Sequence, residues 1–139
     1  RNGDVVRIAP GVPCVIGKIP TGRLFKDGDT LISEDDGAVR ERAKLGFAGV
    51  VSVALAIDKR GDLVGDPDVL ISGLPKRGQG GEDMGDVVDD AIFRTFDNLP
   101  RQKRRDFDSA STAIERGVRA GVNAVWGKKP QVHVLIIEV

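Results

Sequence analysis

Two apolar stripes with helical spacing occupy residues 84–125 and constrain the fold most strongly. The first stripe consists of Met84, Val87, Val88, Ala91, Ile92, Thr95, Phe96 and Leu99. The second consists of Phe107, Ala110, Ile114, Val118, Val122 and Val125. Spacing by three and four puts each set on one face of a helix, and that face must be covered by another layer. The sequence therefore predicts two amphipathic helices that pack on a second element.

The boundaries of the second helix are marked by turn residues. Pro100 suits its first turn, with Asp97 or Asn98 as the cap, and Gly127 suits its end. If unbroken, this helix would run through residues 101–126 and reach about 39 Å.

Strand-like segments lie before and after the helices. In residues 47–58, "FAGVVSVALAID", bulky and small side chains alternate as in a strand with two different faces. The bulky face holds Phe47, Val51, Val53, Leu55 and Ile57, and the small face holds Ala48, Val50, Ser52, Ala54 and Ala56. Residues 59–62, "KRGD", indicate a hairpin turn to a second strand near residues 69–72, and the tail "KKPQVHVLIIEV" supplies a third strand. We predict an α+β fold in which two helices cover one face of a three-stranded sheet, in the order β-β-α-α-β.

The opening segment, residues 1–36, has short apolar runs separated by turn dipeptides such as Asn2-Gly3 and Asp27-Gly28. We predict that it is strand-rich. It contains too few large apolar residues for a core of its own, so we expect it to pack on something else. The charged stretch at residues 37–45 is predicted to be a hinge, and residues 46–139 the main domain.

The supply of reactive side chains is small. His133 is the one histidine and Cys14 the one cysteine, so a zinc site or a disulfide cannot be built from them. Alternation places His133 on a strand beside Leu135 and Ile137, and Cys14 is predicted to be a small buried residue. We expect no catalytic residue and no metal site in this chain.

Charge and hydropathy limit the remaining classes. Lysine and arginine number 21, as do aspartate and glutamate, so no global field attracts nucleic acid. No apolar run approaches the ~20 residues that span a bilayer, and the start lacks the pattern of a secretory signal. The chain is expected to be soluble and cytoplasmic, without a membrane partner.

Two local clusters are more ambiguous. The glycine loop at residues 78–81 precedes a helix, but the acids that follow would repel phosphate, so an ordinary flexible loop is the better interpretation. The acids Glu82, Asp83, Asp86, Asp89 and Asp90 fit the amino end and solvent face of that helix better than a metal site.

The densest basic cluster consists of Arg94, Arg101, Lys103, Arg104 and Arg105. The simpler hypothesis pairs these cations with the carboxyl end of the first helix and with Asp106 and Asp108. The alternative is an RNA-binding patch in which the cations meet phosphates.

Small residues suggest places where another surface approaches closely. Ala113, Gly117 and Gly121 form a ridge on the second helix, predicted to pack against the sheet or a partner subunit. The predicted interface residues are Ala48, Ser52, Ala54, Ala56, Gly117 and Gly121.

The order of several motifs resembles a known family. These are "NGDVVRI", then "GDTLISEDDGAVRERAKLGFAGVVSVALAIDKRGDLVGDPDVLISGLP", then two helices and "KKPQVHVLIIEV". Together they resemble the carboxyl-terminal region of the ribonuclease J family, within the β-CASP metallo-β-lactamase ribonucleases. The most specific matches are residues 39–42, the strand at 49–58, Gly61, Asp66-Pro67, Gly73 and Lys129-Pro130.

The resemblance implies a parent hydrolase that cuts RNA endonucleolytically and from the 5′ end with a two-zinc centre. The metal ligands of the family lie upstream of this chain, so none is carried over. Residues 1–36 would be the last strands of the β-lactamase domain and a linker. Residues 46–139 would be a non-catalytic domain that supports self-association and activity of the parent, and RNA would be a partner through the parent.

Overall fold

The computed structural model describes residues 1–139, which divide into two units, residues 1–41 and residues 42–139. In the first unit, β1 (Asp4–Arg7) pairs with β2 (Cys14–Lys18), and β3 (Leu24–Asp27) pairs with β4 (Thr30–Ser33), both antiparallel. Cys14 is exposed, so the prediction that it is buried is wrong. The reason is that β2 belongs to a two-stranded sheet whose large apolar side chains, such as Val15 and Ile16, are themselves exposed. The assignment of residues 1–36 to an upstream domain stays a prediction.

Helix α1 (Gly37–Ala48) contains the segment predicted to be a hinge. Asp36 begins it by accepting a hydrogen bond from the backbone N–H of Ala38 at 3.1 Å. The helix continues through Ala48 and stops at Gly49, whose φ of 67° favours glycine. Phe47 therefore lies on a helix and is 69% exposed, which corrects its predicted place on the bulky face of a strand.

The sheet of the second unit has three strands in the order β6-β5-β7. The strands are β5 (Val50–Ile57), β6 (Leu63–Ser72) and β7 (Gln131–Glu138). β5 pairs antiparallel with β6 and parallel with β7. In the turn between β5 and β6, the Asp58 carboxylate accepts hydrogen bonds from the backbone N–H groups of Arg60 at 2.8 Å and Asp62 at 2.9 Å. These bonds lower the pKa of Asp58, the bond from Asp62 having the largest effect.

β6 begins six residues earlier than the predicted start at Val69. Its middle contains Gly65, Asp66 and Pro67, which are typical of a turn. The pairing with β5 shifts register between Ala54 and Ala56, and so accommodates this irregular stretch. Proline is tolerated here because β6 lies at the edge of the sheet.

The helical layer consists of α2 (Met84–Asn98), the short α3 (Arg101–Arg104) and α4 (Phe107–Trp126). The predicted continuous helix is thus broken at Arg105 and Asp106, and Asp106 caps α4 by accepting a hydrogen bond from the N–H of Ser109. Gly127 ends α4 in the left-handed conformation, as predicted. No helix in the structure has the length and hydrophobicity needed to cross a bilayer.

The core lies between this layer and one face of the sheet. Strand β5 contributes Val51, Val53, Leu55 and Ile57. Helices α2 and α4 contribute Met84, Val88, Ala91, Ile92, Phe96, Ile114, Val118 and Val122. All are at most 6% exposed. The predicted α+β fold, with its three-stranded sheet and two main helices, is confirmed.

The glycine ridge of α4 packs against α2 of the same chain. A Cβ atom at Gly117 would overlap the Thr95 hydroxyl, and one at Gly121 would lie 3.1 Å from the Cβ of Ala91. The close neighbour is therefore α2 and not the sheet. This close approach explains why α4 carries glycine at two interior positions, where glycine costs about 1 kcal/mol relative to alanine.

The cap of α4 should make stability depend on pH. The Ser109 hydroxyl donates to the Asp106 carboxylate at 2.6 Å, and together with the N–H of Ser109 it lowers the pKa of Asp106. The stabilisation is thus complete above the unfolded pKa near 3.8 and is lost as the pH falls through the folded pKa. We expect Asp106→Asn to lower the free energy of unfolding at neutral pH and the deficit to shrink in acid. Urea denaturation of both proteins across this range checks it, and a deficit independent of pH would contradict it.

Candidate assembly face and basic groove

The face of the sheet turned away from the helices carries an apolar surface, which we call the open sheet face. On the central strand it consists of Val50, Ser52, Ala54 and Ala56. On the flanking strands it consists of Val64, Asp68 and Leu70 in β6 and His133, Leu135 and Ile137 in β7. Leu70 is 66% exposed, Leu135 is 60% exposed and Ile137 is 52% exposed.

Strand register gives this face its shape. Ala54 lies between Asp68 and Leu135, and Ser52 lies between Leu70 and His133. Small side chains in the middle and larger ones at both sides form a shallow hollow of about 290 Å³. The lining is predominantly apolar, so removing this surface from water would be favourable.

The residues predicted to form an interface fall in three places. Ser52, Ala54 and Ala56 lie together on the open sheet face, on alternate positions of β5. Ala48 is separate, because it is buried at the end of α1 and not on the strand. Gly117 and Gly121 contact α2 within the chain.

His133 lies on the open sheet face, exposed beside Leu135, while Val132 is buried on the other side of β7. The structure contains no group of three or more His, Cys, Asp or Glu side chains that could hold a metal ion. The residues present therefore do not fit the two-zinc centre that the resemblance implies for the parent.

Arg104 has a structural position. Its Nε donates to the carbonyl of Leu99 at 2.9 Å and a terminal nitrogen donates to the carbonyl of Asp97 at 3.1 Å. The guanidinium also lies 4.7 Å from the centroid of the Phe96 ring, and the side chain is 17% exposed. The end of α2 thus has its free carbonyls satisfied by a cation, as the simpler hypothesis for the basic cluster predicts.

The other four cations of the cluster are more exposed, and they do not all lie in one place. Arg94 turns back along α2 to Asp90, at 3.7 Å. Lys103 lines a different depression, beside Leu99 and Asp108. Arg101 and Arg105 are the two members that share a site.

That site is a groove of about 670 Å³ between α3 and the turn that joins β5 to β6. We call it the basic groove, and its lining residues are Lys59, Arg60, Arg101, Gln102, Arg105 and Asp106. The turn contacts α3 through Gly61, where an added Cβ would lie 3.0 Å from the Cγ of Arg105 and 3.3 Å from the Cβ of Arg104. Sequence reasoning missed Lys59 and Arg60 because "KRGD" was interpreted only as a turn, although two adjacent cations were a visible signal.

The glycine loop and the acids near α2 are engaged with each other. The N–H of Gln79 donates to the carbonyl of Val125 at 2.9 Å, and the N–H of Gly80 donates to the Glu82 carboxylate at 3.0 Å. Asp83 caps α2 through the N–H of Gly85. Burial raises the pKa of Asp89, with neighbouring carboxylates adding to the effect. All four N–H groups of the loop at residues 78–81, which a phosphate would need, are therefore already bonded within the chain.

Substitutions at two neighbouring arginines test whether Arg104 stabilises the fold while Arg105 does not. Arg104→Ala should lower the free energy of unfolding by about 2 kcal/mol, because it removes charge-assisted hydrogen bonds and the packing on Phe96. Arg105→Ala, at an exposed position, should change it by less than about 0.5 kcal/mol. Urea denaturation of both variants provides the comparison, and equal effects would contradict the role assigned to Arg104.

Comparison with known proteins shows the family. Residues 37–139 match the family model of the ribonuclease J C-terminal domain. The chain is similar to ribonuclease J of Sinorhizobium meliloti, at 45% identity over 139 residues that cover all of this chain and 25% of that protein. It is also similar to ribonuclease J of Corynebacterium glutamicum, at 29% identity over 99% of this chain and 19% of that protein.

A third relative, ribonuclease J of Synechocystis sp., is 28% identical over 80% of this chain and 16% of that protein. The chain thus spans a quarter or less of the length of the relatives it matches. It corresponds to their C-terminal part. The chain therefore belongs to the ribonuclease J family, and residues 37–139 are its ribonuclease J C-terminal domain.

Proposed function

We propose that this domain is the non-catalytic assembly domain of an RNA-degrading ribonuclease J, and that a second copy of the same chain covers the open sheet face. The observation that carries the proposal is the exposure of Leu70, Leu135 and Ile137 around a hollow of small side chains. Apolar surface of this extent is costly in water, and contiguous patches of this kind commonly mark binding sites.

Symmetry favours a second copy over an unrelated partner. A two-fold axis brings the same patch of both chains together, so two identical apolar faces would cover each other. An axis parallel to β5 brings β6 of one copy over β7 of the other. That arrangement places the strand with Leu70 opposite the strand with Leu135, so large apolar side chains of both copies share one interface.

Sedimentation of the chain over a concentration series tests the proposal. The weight-average mass should rise from that of one chain to that of two as concentration increases. A mass of one chain at every concentration would contradict self-association through this domain.

The chemistry of the parent would lie outside this chain. We propose that the zinc centre and the hydrolytic activity belong to the rest of the protein, because the residues present here form no metal-binding group. The domain would then contribute by holding catalytic regions in a fixed arrangement. A second candidate function, contact with RNA, is favoured by the basic groove and is developed next.

A further inference from the structure

We propose that the basic groove binds the phosphate backbone of single-stranded RNA. This inference goes beyond assembly, because the groove and the open sheet face share no residues. It also differs from the patch suggested by the sequence, since it excludes Arg94, Lys103 and Arg104 and adds Lys59 and Arg60.

The four cations of the groove come from two segments that the fold fixes together. Lys59 and Arg60 lie in the turn after β5, and Arg101 and Arg105 lie in and just after α3. Gly61, which is buried and has a φ of 83°, seats the turn against α3. The charge is therefore concentrated by tertiary packing in a chain with no net charge.

Nearby acids leave these cations only loosely paired. Arg60 lies 3.9 Å from Asp58 and Arg101 lies 3.9 Å from Asp62, in ion pairs whose arginines are 84% and 75% exposed. Exposed pairs at this separation contribute little, so exchange for a phosphate is inexpensive.

The two remaining cations have no carboxylate partner in the structure. Lys59 and Arg105 are exposed and form no ion pair, and the one acid that lines the groove, Asp106, is hydrogen-bonded to Ser109. The groove thus offers two unpaired cations and two weakly paired ones.

The lining favours a phosphate backbone over other anions. Arginine binds phosphate through two parallel hydrogen bonds, and the amide of Gln102 adds a neutral donor. No aromatic ring or large apolar side chain lines the groove, so it lacks what an acidic peptide with apolar anchors or a stacked base would need. We therefore expect binding that depends strongly on salt and little on base sequence.

The test measures binding of a fluorescein-labelled oligouridylate to the whole chain by anisotropy as salt is varied. If all four cations neutralise phosphates, log affinity should fall against log salt with a slope of about −2.8, or about 50-fold over a fourfold rise in salt. The double variant Lys59→Gln/Arg105→Gln should reduce the slope to about −1.4. It keeps the Cγ atom on which Gly61 packs, so the turn should remain seated.

The matched control is Arg94→Gln/Lys103→Gln, which removes the same charge outside the groove. It should leave affinity and slope unchanged. Equal weakening by both pairs, or no salt-dependent binding by the unmodified chain, would overturn the proposal. Competition by polyglutamate at equal charge concentration as effective as that by unlabelled oligouridylate would also overturn it, because the groove would then accept any polyanion.

Sedimentation of the same variants separates this inference from the assembly proposal. The groove variant should associate like the unmodified chain while it loses RNA affinity. Leu135→Glu should lose self-association but keep the same dependence of RNA affinity on salt. Loss of both properties in the groove variant would count against a separate RNA site.

Discussion

Substitution of Leu135 by glutamate is expected to weaken self-association of the chain by at least about a hundredfold. In the separate chain Leu135 is 60% exposed, so a carboxylate there remains in water. In the proposed pair it would be buried among apolar side chains, where an unpaired charge costs about 2–5 kcal/mol. Sedimentation equilibrium of the variant measures the change directly.

Thr112→Glu provides the control for Leu135→Glu. Thr112 is exposed on α4, on the helical side of the domain, so the same acidic group there should leave association unchanged. Both variants should unfold within about 0.5 kcal/mol of the unmodified chain. Dimers of Leu135→Glu as stable as those of the original chain would show that another surface mediates contact.

A mixing experiment tests how the two copies are oriented, in addition to which face they share. Leu70→Lys should also dissociate the pair, because Leu70 is 66% exposed on the same face. With an axis parallel to β5, chains carrying Leu70→Lys and chains carrying Leu135→Glu should associate with each other better than either does with itself. Failure of the mixture would contradict that axis.

Gly117→Val is expected to lower the free energy of unfolding by about 3 kcal/mol, at the upper end of the usual range for overpacking. A Cβ at this position overlaps the hydroxyl of Thr95, and valine adds two further carbons. The Thr95 hydroxyl is held in place by its hydrogen bond to the carbonyl of Ala91 at 2.6 Å. The helices α2 and α4 must therefore separate, which exposes core residues between them. Urea denaturation measures the loss.

The same substitution at Gly46 is the matched control. Gly46 lies in α1 with no atom within 4 Å of an added Cβ, so valine there should change the free energy of unfolding by less than about 0.5 kcal/mol. Thr95→Ala should recover part of the stability of Gly117→Val, with a coupling above about 1 kcal/mol. Additive effects of the two substitutions would mean that Gly117 and Thr95 do not compete for the same space.

Regular periodicity made much of the fold predictable. Val51, Val53, Leu55 and Ile57 are buried as their alternation indicated, because a strand between helices and an open face needs one bulky side. Phe47 was misplaced because its spacing also fits a strand, whereas the break at Gly49 depends on a left-handed turn.

Local turn chemistry caused the other errors. The start of β6 was missed since Gly65, Asp66 and Pro67 have turn propensity, which pairing with β5 overrides. The break before α4 was missed because Arg105 and Asp106 do not interrupt the apolar stripe. Only the hydrogen bond that Ser109 donates to the Asp106 carboxylate marks the new start.

The candidate sites differed in how far sequence could locate them. Ser52, Ala54 and Ala56 were identified as one surface because a single strand determines their direction. The basic groove could not be identified in this way, since Lys59 and Arg105 are brought together by the contact of Gly61 with α3. Arg104 belongs to a basic run that suggested a binding site, but it instead donates a hydrogen bond to the carbonyl of Leu99 at the end of α2.

The proline in the outer strand of the sheet has a consequence for aggregation. Pro67 lacks an N–H group, and the exposed carboxylates of Asp66 and Asp68 flank it. An incoming strand from another molecule would meet a missing donor and two negative charges along this border. A chain with so much exposed apolar sheet surface is thereby protected from open-ended cross-β growth at this edge of the sheet.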